Sequence, residues 1–203
     1  MRRTKEDAAK TRQSVIDAAL RLFSTRGYSG TTFRAIAEEA GCSRGPIYWH
    51  FANKQELFEA ILAYSQRPLE ALVVSDLDLN DPIATARSFA DEWLGLLISD
   101  HYFRQSFEIF LNKTEFTEEM ASTIERERAL TQSLVANFKK LVVAYRESSG
   151  STTFATPADV AAVSMYAYLM GLTQSWLFNP DILDLATHKA SVVARLEEML
   201  KAL

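Results

Sequence analysis

Glycine and proline, the residues that most often interrupt helices, are scarce in this sequence: 7 glycines and 5 prolines among 203 residues. Between them, apolar residues recur at three- and four-residue spacing, and no segment keeps the every-second-residue alternation of a strand. The pattern therefore predicts an all-α protein of about nine helices. With 48% of its residues apolar or aromatic, the chain can bury a large core, which excludes a disordered protein.

Cysteine and long uncharged apolar runs are also nearly missing. The single cysteine, Cys42, excludes an internal disulfide framework and fits a reducing compartment, so we expect a cytoplasmic protein. The longest stretch without a charged residue, 160–180, contains Ser164, Thr173 and Gln174, which favours a buried helix over a membrane span. We expect no membrane association.

Residue patterns typical of catalysis are lacking as well. The sequence has no paired carboxylates, nucleophile beside a base, or glycine-rich phosphate loop at a usable spacing, so an all-helical enzyme is the weaker interpretation. His101, His188 and Cys42 do not have the spacing of metal ligands. We predict no cofactor and no metal site. Cys42 is most simply a small packed residue, with a redox role as the alternative.

Charge divides the chain into a basic part and an acidic part. Residues 1–54 hold ten Lys or Arg and five Asp or Glu, a net charge of +5, whereas residues 68–203 carry a net charge of −8. A basic end on an acidic chain is typical of a polyanion-binding module joined to a body with another task, although a solvated surface has the same appearance.

The basic part contains signals for three helices and the start of a fourth. The residues suited to end or cap these helices are Gly27, Thr32, Gly41, Ser43 and the capping-box pair Asn53 and Glu56. Two short helices joined by a turn at Gly41 form the helix-turn-helix arrangement. In that arrangement the second helix enters the major groove of DNA and the first braces it.

The second of these short helices carries an unusual set of side chains. Ile47 and Phe51 are four residues apart and should point inward, which leaves Arg44, Tyr48 and Trp49 on the outer face. A phenol and an indole donor beside an arginine suit phosphate oxygens and base edges. The alternative is that both aromatics lie in the core of a small three-helix domain.

Residues 10–60 resemble the DNA-binding domain of the TetR/AcrR family of bacterial transcriptional repressors. The positions that carry the resemblance, in the family's order and spacing, are Thr32, Ile36-Ala37, Ala40-Gly41, Ser43, Gly45, Tyr48, His50-Phe51, Lys54 and Leu57. Segments 44–51, 113–116, 119–120 and 176–178 resemble the branch that regulates multidrug efflux pumps. Cys42 and Pro46 depart from the usual residues without threatening the fold.

The resemblance implies a DNA-binding domain over residues 1–53, a connecting fourth helix over 54–67 and a ligand-binding and dimerisation domain over 68–203. It implies that Arg44 reads a base edge, that Gly45 allows close backbone approach and that Pro46 makes an apolar contact. Trp49 joins these residues on the outer face. The implied phosphate contacts are Thr32, Tyr48, His50 and Lys54, with Arg34 reaching the backbone or an adjacent base.

The body after residue 68 is rich in aromatic residues, and for any single one a place in the core is the simpler interpretation. Together with a few buried polar groups, such as Gln105, Glu108, Asn137 and Gln174, they predict a pocket for a small hydrophobic or drug-like effector. In similar repressors this pocket lies among the middle helices. The predicted effector contacts are Leu62, Gln66, Trp93, Phe103, Phe107, Glu108, Phe110, Leu111, Asn137 and Gln174.

The uncharged helix within 160–178 is apolar on more than one side, so it should be covered by a partner as well as by its own core. In the resembled family such a helix and the last one pair across a twofold axis, which implies a homodimer. The predicted contacts are Ala161, Tyr168, Leu172, Val193 and Leu196.

The function implied is that of a dimeric repressor that binds near-palindromic double-stranded operator DNA and controls a multidrug efflux operon. Effector binding would swing the fourth helix and separate the two DNA-reading helices, which releases the operator. A family member that governs a metabolic operon through a specific metabolite is the alternative that the residues leave open. A constitutive DNA-architectural protein is disfavoured because the aromatic-rich body would have no task.

Overall fold

The computed structural model describes residues 5–74, 77–115, 117–150 and 154–202, and leaves out the side chains of 65–69, 71–74 and 119. Within those ranges the chain forms nine α-helices and no strand, which confirms the predicted all-α class. The helices are α1 (Lys5–Arg26), α2 (Phe33–Glu39), α3 (Arg44–His50), α4 (Lys54–Val74), α5 (Pro82–Ser99), α6 (His101–Asn112), α7 (Ala121–Ser149), α8 (Ala158–Phe178) and α9 (Leu185–Ala202). None of these helices, as far as they are described, is long and apolar enough to cross a membrane.

Most of the predicted helix ends are confirmed by local hydrogen bonds and backbone angles. Gly27 and Gly41 follow α1 and α2 with φ of 74° and 65°, a conformation that glycine adopts without a Cβ clash. The Thr32 hydroxyl accepts a hydrogen bond from the Ala35 backbone N–H at 3.2 Å and caps α2. Ser43 precedes α3 as expected, but its side chain makes no capping hydrogen bond in the described structure.

A short 3₁₀ turn precedes α7. The turn spans Glu118–Met120, and α7 begins at Ala121. The turn is closed by the Met120 N–H, which donates to the Thr117 carbonyl at 3.0 Å, a three-residue spacing that an α-helix does not use. At its other end α7 continues as far as Ser149.

Two compact units make up the described structure. Unit 1 comprises residues 1–66 and 105–124, and unit 2 comprises residues 67–104 and 125–203. In unit 1, α1 and α2 pack against each other and against α3, and the rings of Phe23, Tyr28 and Phe58 lie 5.0–5.9 Å apart. The Tyr28 N–H donates to the Lys113 carbonyl at 3.0 Å, which attaches the segment after α6 to this unit.

Unit 2 is built around α5 and α9, and α8 packs against α9. The buried Trp93 indole N–H donates to the buried Thr173 hydroxyl at 2.9 Å and joins α5 to α8. Arg87 of α5 forms a two-pronged ion pair with Glu197 of α9. Its Nε donates to one carboxylate oxygen, and its Nη2 donates to the other at 2.9 Å. The hydrogen bond from Arg87 lowers the pKa of the Glu197 carboxyl below its ordinary value.

Candidate nucleic-acid interface

The inner face of α3 fixes this helix to the rest of unit 1. Ile47 and Phe51 are buried, as their four-residue spacing predicted, and α3 contacts both α1 and α2. The Arg12 guanidinium lies 5.1 Å from the centre of the Phe51 ring. A helix of only seven residues is marginal alone, so this packing is what holds its opposite face in place.

The outer face of α3 is formed by aromatic side chains that point to solvent. Tyr48 is 57% exposed and Trp49 is 73% exposed, which confirms their predicted orientation and excludes the core interpretation. The Tyr48 ring packs edge-on against Phe33 at 5.2 Å, and the Trp49 ring against His50 at 4.5 Å. These contacts orient two large rings without burying them, and the exposed Arg44 stands at the start of the same helix.

Gly45 leaves open space on this outer face. Its φ is not positive, so the backbone does not require glycine here. A Cβ placed on Gly45 would meet no atom of the described chain within 4 Å, so internal packing does not require glycine either. The missing side chain therefore serves no described contact within the chain, and it suits the close approach of another molecule.

The other predicted DNA contacts lie on the short helices α2 and α3 or directly before them. Thr32 is exposed although its hydroxyl caps α2, and Pro46 and His50 are half-buried on α3. Arg34 is exposed and pairs with Glu38 at 3.0 Å, one turn further along α2. An ion pair as exposed as this one contributes little stability, so the guanidinium can exchange Glu38 for a phosphate at small cost.

The ammonium group of Lys54 makes contacts inside unit 1. Its ammonium group donates to the carbonyls of Tyr28 at 2.8 Å and Thr31 at 3.1 Å, and it lies 4.1 Å from the centre of the Tyr28 ring. These contacts are internal to unit 1 and join the start of α4 to the turn after α1. Lys54 is therefore engaged within the described chain, and its predicted contact with a phosphate stays a prediction.

The predicted effector residues lie in both units. In unit 1, Leu62 and Phe107 are buried, while Glu108, Phe110 and Leu111 are half-buried. The side chain of Gln66 lies outside the described residues. The structure therefore provides apolar side chains at the predicted positions of α4 and α6, and their role in effector binding stays a prediction.

In unit 2, the predicted effector residues Trp93 and Phe103 belong to a row of aromatic rings. Phe103 and Trp93 are buried with ring centres 6.3 Å apart, and Phe89 lies 6.1 Å from Trp93 and 5.3 Å from Phe138. Asn137, on α7, is half-buried, and its side-chain oxygen accepts from the Lys140 ammonium at 3.3 Å. This row, Phe103, Trp93, Phe89 and Phe138, is called the aromatic row below.

Gln174 does not take part in this arrangement. Its side chain is exposed on α8, so the expectation that it is one of the buried polar groups is wrong. The neighbouring Thr173 lies on the inner side and contacts Trp93 instead, and the next residue along a helix points about 100° away.

Three of the five predicted dimer contacts are also corrected. Ala161, Val193 and Leu196 are buried in the chain itself, so they offer little or no surface to a partner. Tyr168 and Leu172 are half-buried. The Tyr168 hydroxyl donates to the Val192 carbonyl at 3.3 Å.

A different face of α8 is exposed and apolar. Val163 is 51% exposed and Phe178 is 80% exposed. The residues that share their side of the helix, at three- and four-residue spacing, are Val160, Val163, Ala167, Gly171, Gln174 and Phe178, called the α8 stripe below. This face has no sequence signal of its own, because α8 is apolar on all sides and its composition does not separate the inner side from the outer one.

A polar cluster that no sequence motif predicts joins α4 to α7 within unit 1. One carboxylate oxygen of Glu59 accepts from the Thr123 hydroxyl at 2.9 Å, from Ser122 at 3.1 Å and from the Gln55 amide at 3.0 Å. The Gln55 amide also donates to the Ser122 hydroxyl at 2.7 Å. The Glu59 charge also lies at the amino end of α7, where the helix dipole favours an anion.

The anchored α3, its exposed aromatic face and the separate helical unit 2 together define a helix-turn-helix transcriptional regulator. Residues 15–61 match the family model of bacterial regulatory proteins of the tetR family, and residues 81–202 match the C-terminal region of MAATS-type transcriptional repressors. The chain belongs to the TetR family.

Characterised relatives align over nearly the whole chain. The transcriptional regulator TtgR of Pseudomonas putida is 39% identical over 91% of this chain and 89% of its own length. AcrR of Shigella flexneri is 34% identical over 98% of this chain and 93% of its own. The fold is similar to the crystal structure of NalD, the secondary repressor of the MexAB-OprM multidrug efflux pump in Pseudomonas aeruginosa. The TM-score is 0.83, the sequences are 30% identical, and the match covers 96% of this chain and 98% of NalD.

Proposed function

We propose that this protein is a repressor of a multidrug efflux operon, that it binds its operator as a homodimer, and that a small hydrophobic effector releases it. The observation that carries the proposal is the outer face of α3, where Tyr48, Trp49 and Arg44 are exposed around the open space at Gly45. The role of the similar protein NalD as a repressor of a multidrug efflux pump supports the choice of operon.

On the operator, Arg44 reads a base edge in the major groove, because its fork matches the O6 and N7 acceptors of guanine. Tyr48, His50 and Thr32 contact phosphates, and Arg34 joins them after releasing Glu38. Pro46 and Trp49 provide apolar contact with bases or sugars. Gly45 lets the α3 backbone come close enough for these short contacts.

The effector binds among the apolar side chains of the ligand-binding part, with the aromatic row providing flat apolar surfaces. It favours a state in which the two α3 helices of the dimer no longer fit successive major grooves, which lie about 34–36 Å apart. The effector shifts this balance by its difference in affinity for the two states, a coupling of about 1–3 kcal/mol in typical cases.

The dimer forms through the α8 stripe. An exposed apolar helix face of this kind is unfavourable in water and is covered when a second copy of the same face packs on it. Ala167 and Gly171 keep the centre of the stripe small, and a Cβ on Gly171 would meet no described atom within 4 Å. Two copies of α8 can therefore approach closely.

The test is a mobility-shift titration of the protein against DNA from upstream of its own gene, followed by addition of hydrophobic drugs. Arg44→Ala should reduce the preference for operator over unrelated DNA by about 1–3 kcal/mol, because a two-pronged base contact is lost. Arg128→Ala, which removes the same charge from an exposed site on α7, is the matched control and should change nothing. Equal losses in both variants would contradict the role of Arg44, and release by no member of a broad drug panel would favour the metabolic operon.

A further inference from the structure

Arg12 of α1 lies at the carboxyl end of α3, the helix proposed to read the operator. Its guanidinium group is 5.1 Å from the centre of the Phe51 ring, and Phe51 is the residue that follows α3. The Phe51 side chain is buried, whereas Arg12 is exposed. A cation–π contact uses the positive charge of a guanidinium group but none of its N–H donors. The contact therefore holds Arg12 in place and leaves its donors for a ligand.

The part of α1 that carries Arg12 does not pack into the core of unit 1. Residues 5–14, the first ten of the helix, include no buried side chain, and the first buried residue of α1 is Val15. Ten helical residues extend about 15 Å. Packing of the core therefore does not explain why an arginine stands at this position.

Arg12 also differs from most of the cations in the first two helices. Lys10, Arg21 and Arg34 each form an ion pair with a glutamate at 2.8–3.0 Å. Among the residues that the structure describes, Arg12 has no carboxylate at such a distance, and Arg44 has none either. Arg44 is the first residue of α3 and Arg12 lies beside the residue after its last. Both ends of the helix therefore carry a positive charge that no carboxylate offsets.

A row of rings connects Arg12 to the predicted DNA contacts at the end of α3. The Trp49 ring lies 4.5 Å from the His50 ring, and the His50 ring lies 6.3 Å from the Phe51 ring. A single aromatic ring, that of Phe51, thus separates the Arg12 guanidinium group from His50. Because His50 is a predicted phosphate contact, Arg12 stands beside the same part of the DNA backbone.

We propose that Arg12 binds a phosphate of the operator backbone at the carboxyl end of α3, and that Phe51 positions its guanidinium group. This assignment rests on the proposed operator binding through α3 and adds a contact from a third helix, α1. The positions that carry the family resemblance begin at Thr32, so they assign no role to any residue of α1.

The dimensions and the charge of α3 support a cation at this end. A helix of seven residues is about 10 Å long and the major groove is about 12 Å wide, so both ends of α3 come close to the phosphates that border the groove. The carboxyl end of a helix has a partial negative charge, which disfavours a phosphate. Arg12 offsets this charge, and its planar N–H groups match the oxygens of a phosphate.

Arg12→Gln tests the assignment in mobility-shift titrations at several salt concentrations, on DNA from upstream of the gene and on unrelated DNA. Operator affinity should fall by about tenfold or more, because a charge-assisted hydrogen bond is lost. Each phosphate contact adds about 0.9 to the slope of log K against log salt, so the slope of a dimer should decrease by about 2. Binding to unrelated DNA should weaken by the same factor, since a phosphate carries no sequence information.

Two further variants separate a DNA contact from a role in folding. Arg12→Lys keeps the charge and a cation over the Phe51 ring, so it should retain most of the salt slope. Arg128→Gln removes an exposed arginine from α7 and should leave the slope unchanged. Thermal unfolding of each variant reports its stability. A purely structural Arg12 would lower the melting temperature of Arg12→Gln without changing its salt slope.

The outcomes separate this assignment from the proposed function. A wild-type salt slope in folded Arg12→Gln would overturn the role of Arg12 and leave operator binding by α3 intact. A wild-type protein that does not bind the upstream DNA would count against both. If Arg12→Gln does not fold, modification of the wild-type protein with phenylglyoxal decides, because operator DNA should protect Arg12 but not Arg128, as measured by mass spectrometry. Equal modification of Arg12 with and without operator DNA would refute the contact.

Discussion

Gly45 and Lys54 both belong to the pattern shared with the TetR family, yet their surroundings in the chain are opposite. The position of the Gly45 Cβ is open, so nothing described within the chain requires glycine there. The Lys54 ammonium is engaged by two carbonyls and an aromatic ring. One motif position is therefore open on the surface and the other is engaged inside the chain, and only the contacts of each residue show this difference.

Gly45→Ala should separate stability from DNA binding. Alanine is better than glycine inside a helix by about 0.5–1 kcal/mol, and the open site accepts a methyl group, so the melting temperature should rise. Operator affinity should fall because the methyl group stands where DNA comes close. Thermal unfolding and a mobility-shift titration measure the two effects, and unchanged or tighter operator binding would refute the close approach.

Glu127 should make stability depend on pH with a definite sign. Burial on α7 raises its pKa from 4.5 to about 7 in the folded chain, so the folded state holds a proton that the unfolded state has already released. The wild type therefore loses stability as pH rises from about 4.5 to about 7, and no more above that range. The stability of Glu127→Gln relative to the wild type should increase over the same window, as measured by urea unfolding at several pH values. A difference that stays constant with pH would contradict the buried, titrating carboxylate.

At the scale of elements, the boundaries of the units do not follow the ends of the helices. Helices α4, α6 and α7 each continue from one unit into the other, at residues 66–67, 104–105 and 124–125. Within unit 1, the Glu59 cluster joins α4 to the start of α7, and the Tyr28 to Lys113 hydrogen bond attaches the segment after α6. The DNA-binding helices are thus packed with the ends of two helices that lie far away in sequence.

The Glu59 cluster should show measurable energetic coupling between α4 and α7. Glu59→Gln removes the charged acceptor of three hydrogen bonds and should lower the free energy of unfolding by about 1–2 kcal/mol. Combined with Thr123→Val in a double-mutant cycle, it should give a coupling of about 1 kcal/mol, since the two side chains bond each other directly. Chemical denaturation provides the values, and strictly additive losses would show that the contact contributes nothing.

At the scale of the whole molecule, the α8 stripe contains none of the residues that the sequence predicted for the dimer interface. Val163 and Phe178 are exposed on one side of α8, whereas Ala161 of the same helix is buried. Both sides are apolar, and only the buried side has a described partner within the chain. The exposed side therefore carries the proposed dimer contact.

Val163→Asp should split the dimer, because it places a charge within the proposed apolar interface, where it would lose its water. Light scattering should then report the mass of a single chain, and operator binding should weaken because two α3 helices no longer act together. Val143→Asp is the matched control, the same change at a partly exposed valine of α7 outside the stripe. A dimer that persists in Val163→Asp would remove α8 from the interface.

The local pattern of residues along the chain determined most of the features that could be predicted from the sequence. The helices, the glycines at their ends, the Thr32 cap and the outward rings of Tyr48 and Trp49 follow from three- and four-residue periodicity and from backbone preferences. Tertiary structure decided the partners of Lys54, the place of residues 105–124 in unit 1 and the inner side of α8. Each of these depends on which distant segments meet. The sequence of a helix that is apolar all round does not show which side is buried. The residues next to a lysine do not show whether its ammonium group binds water or a backbone carbonyl.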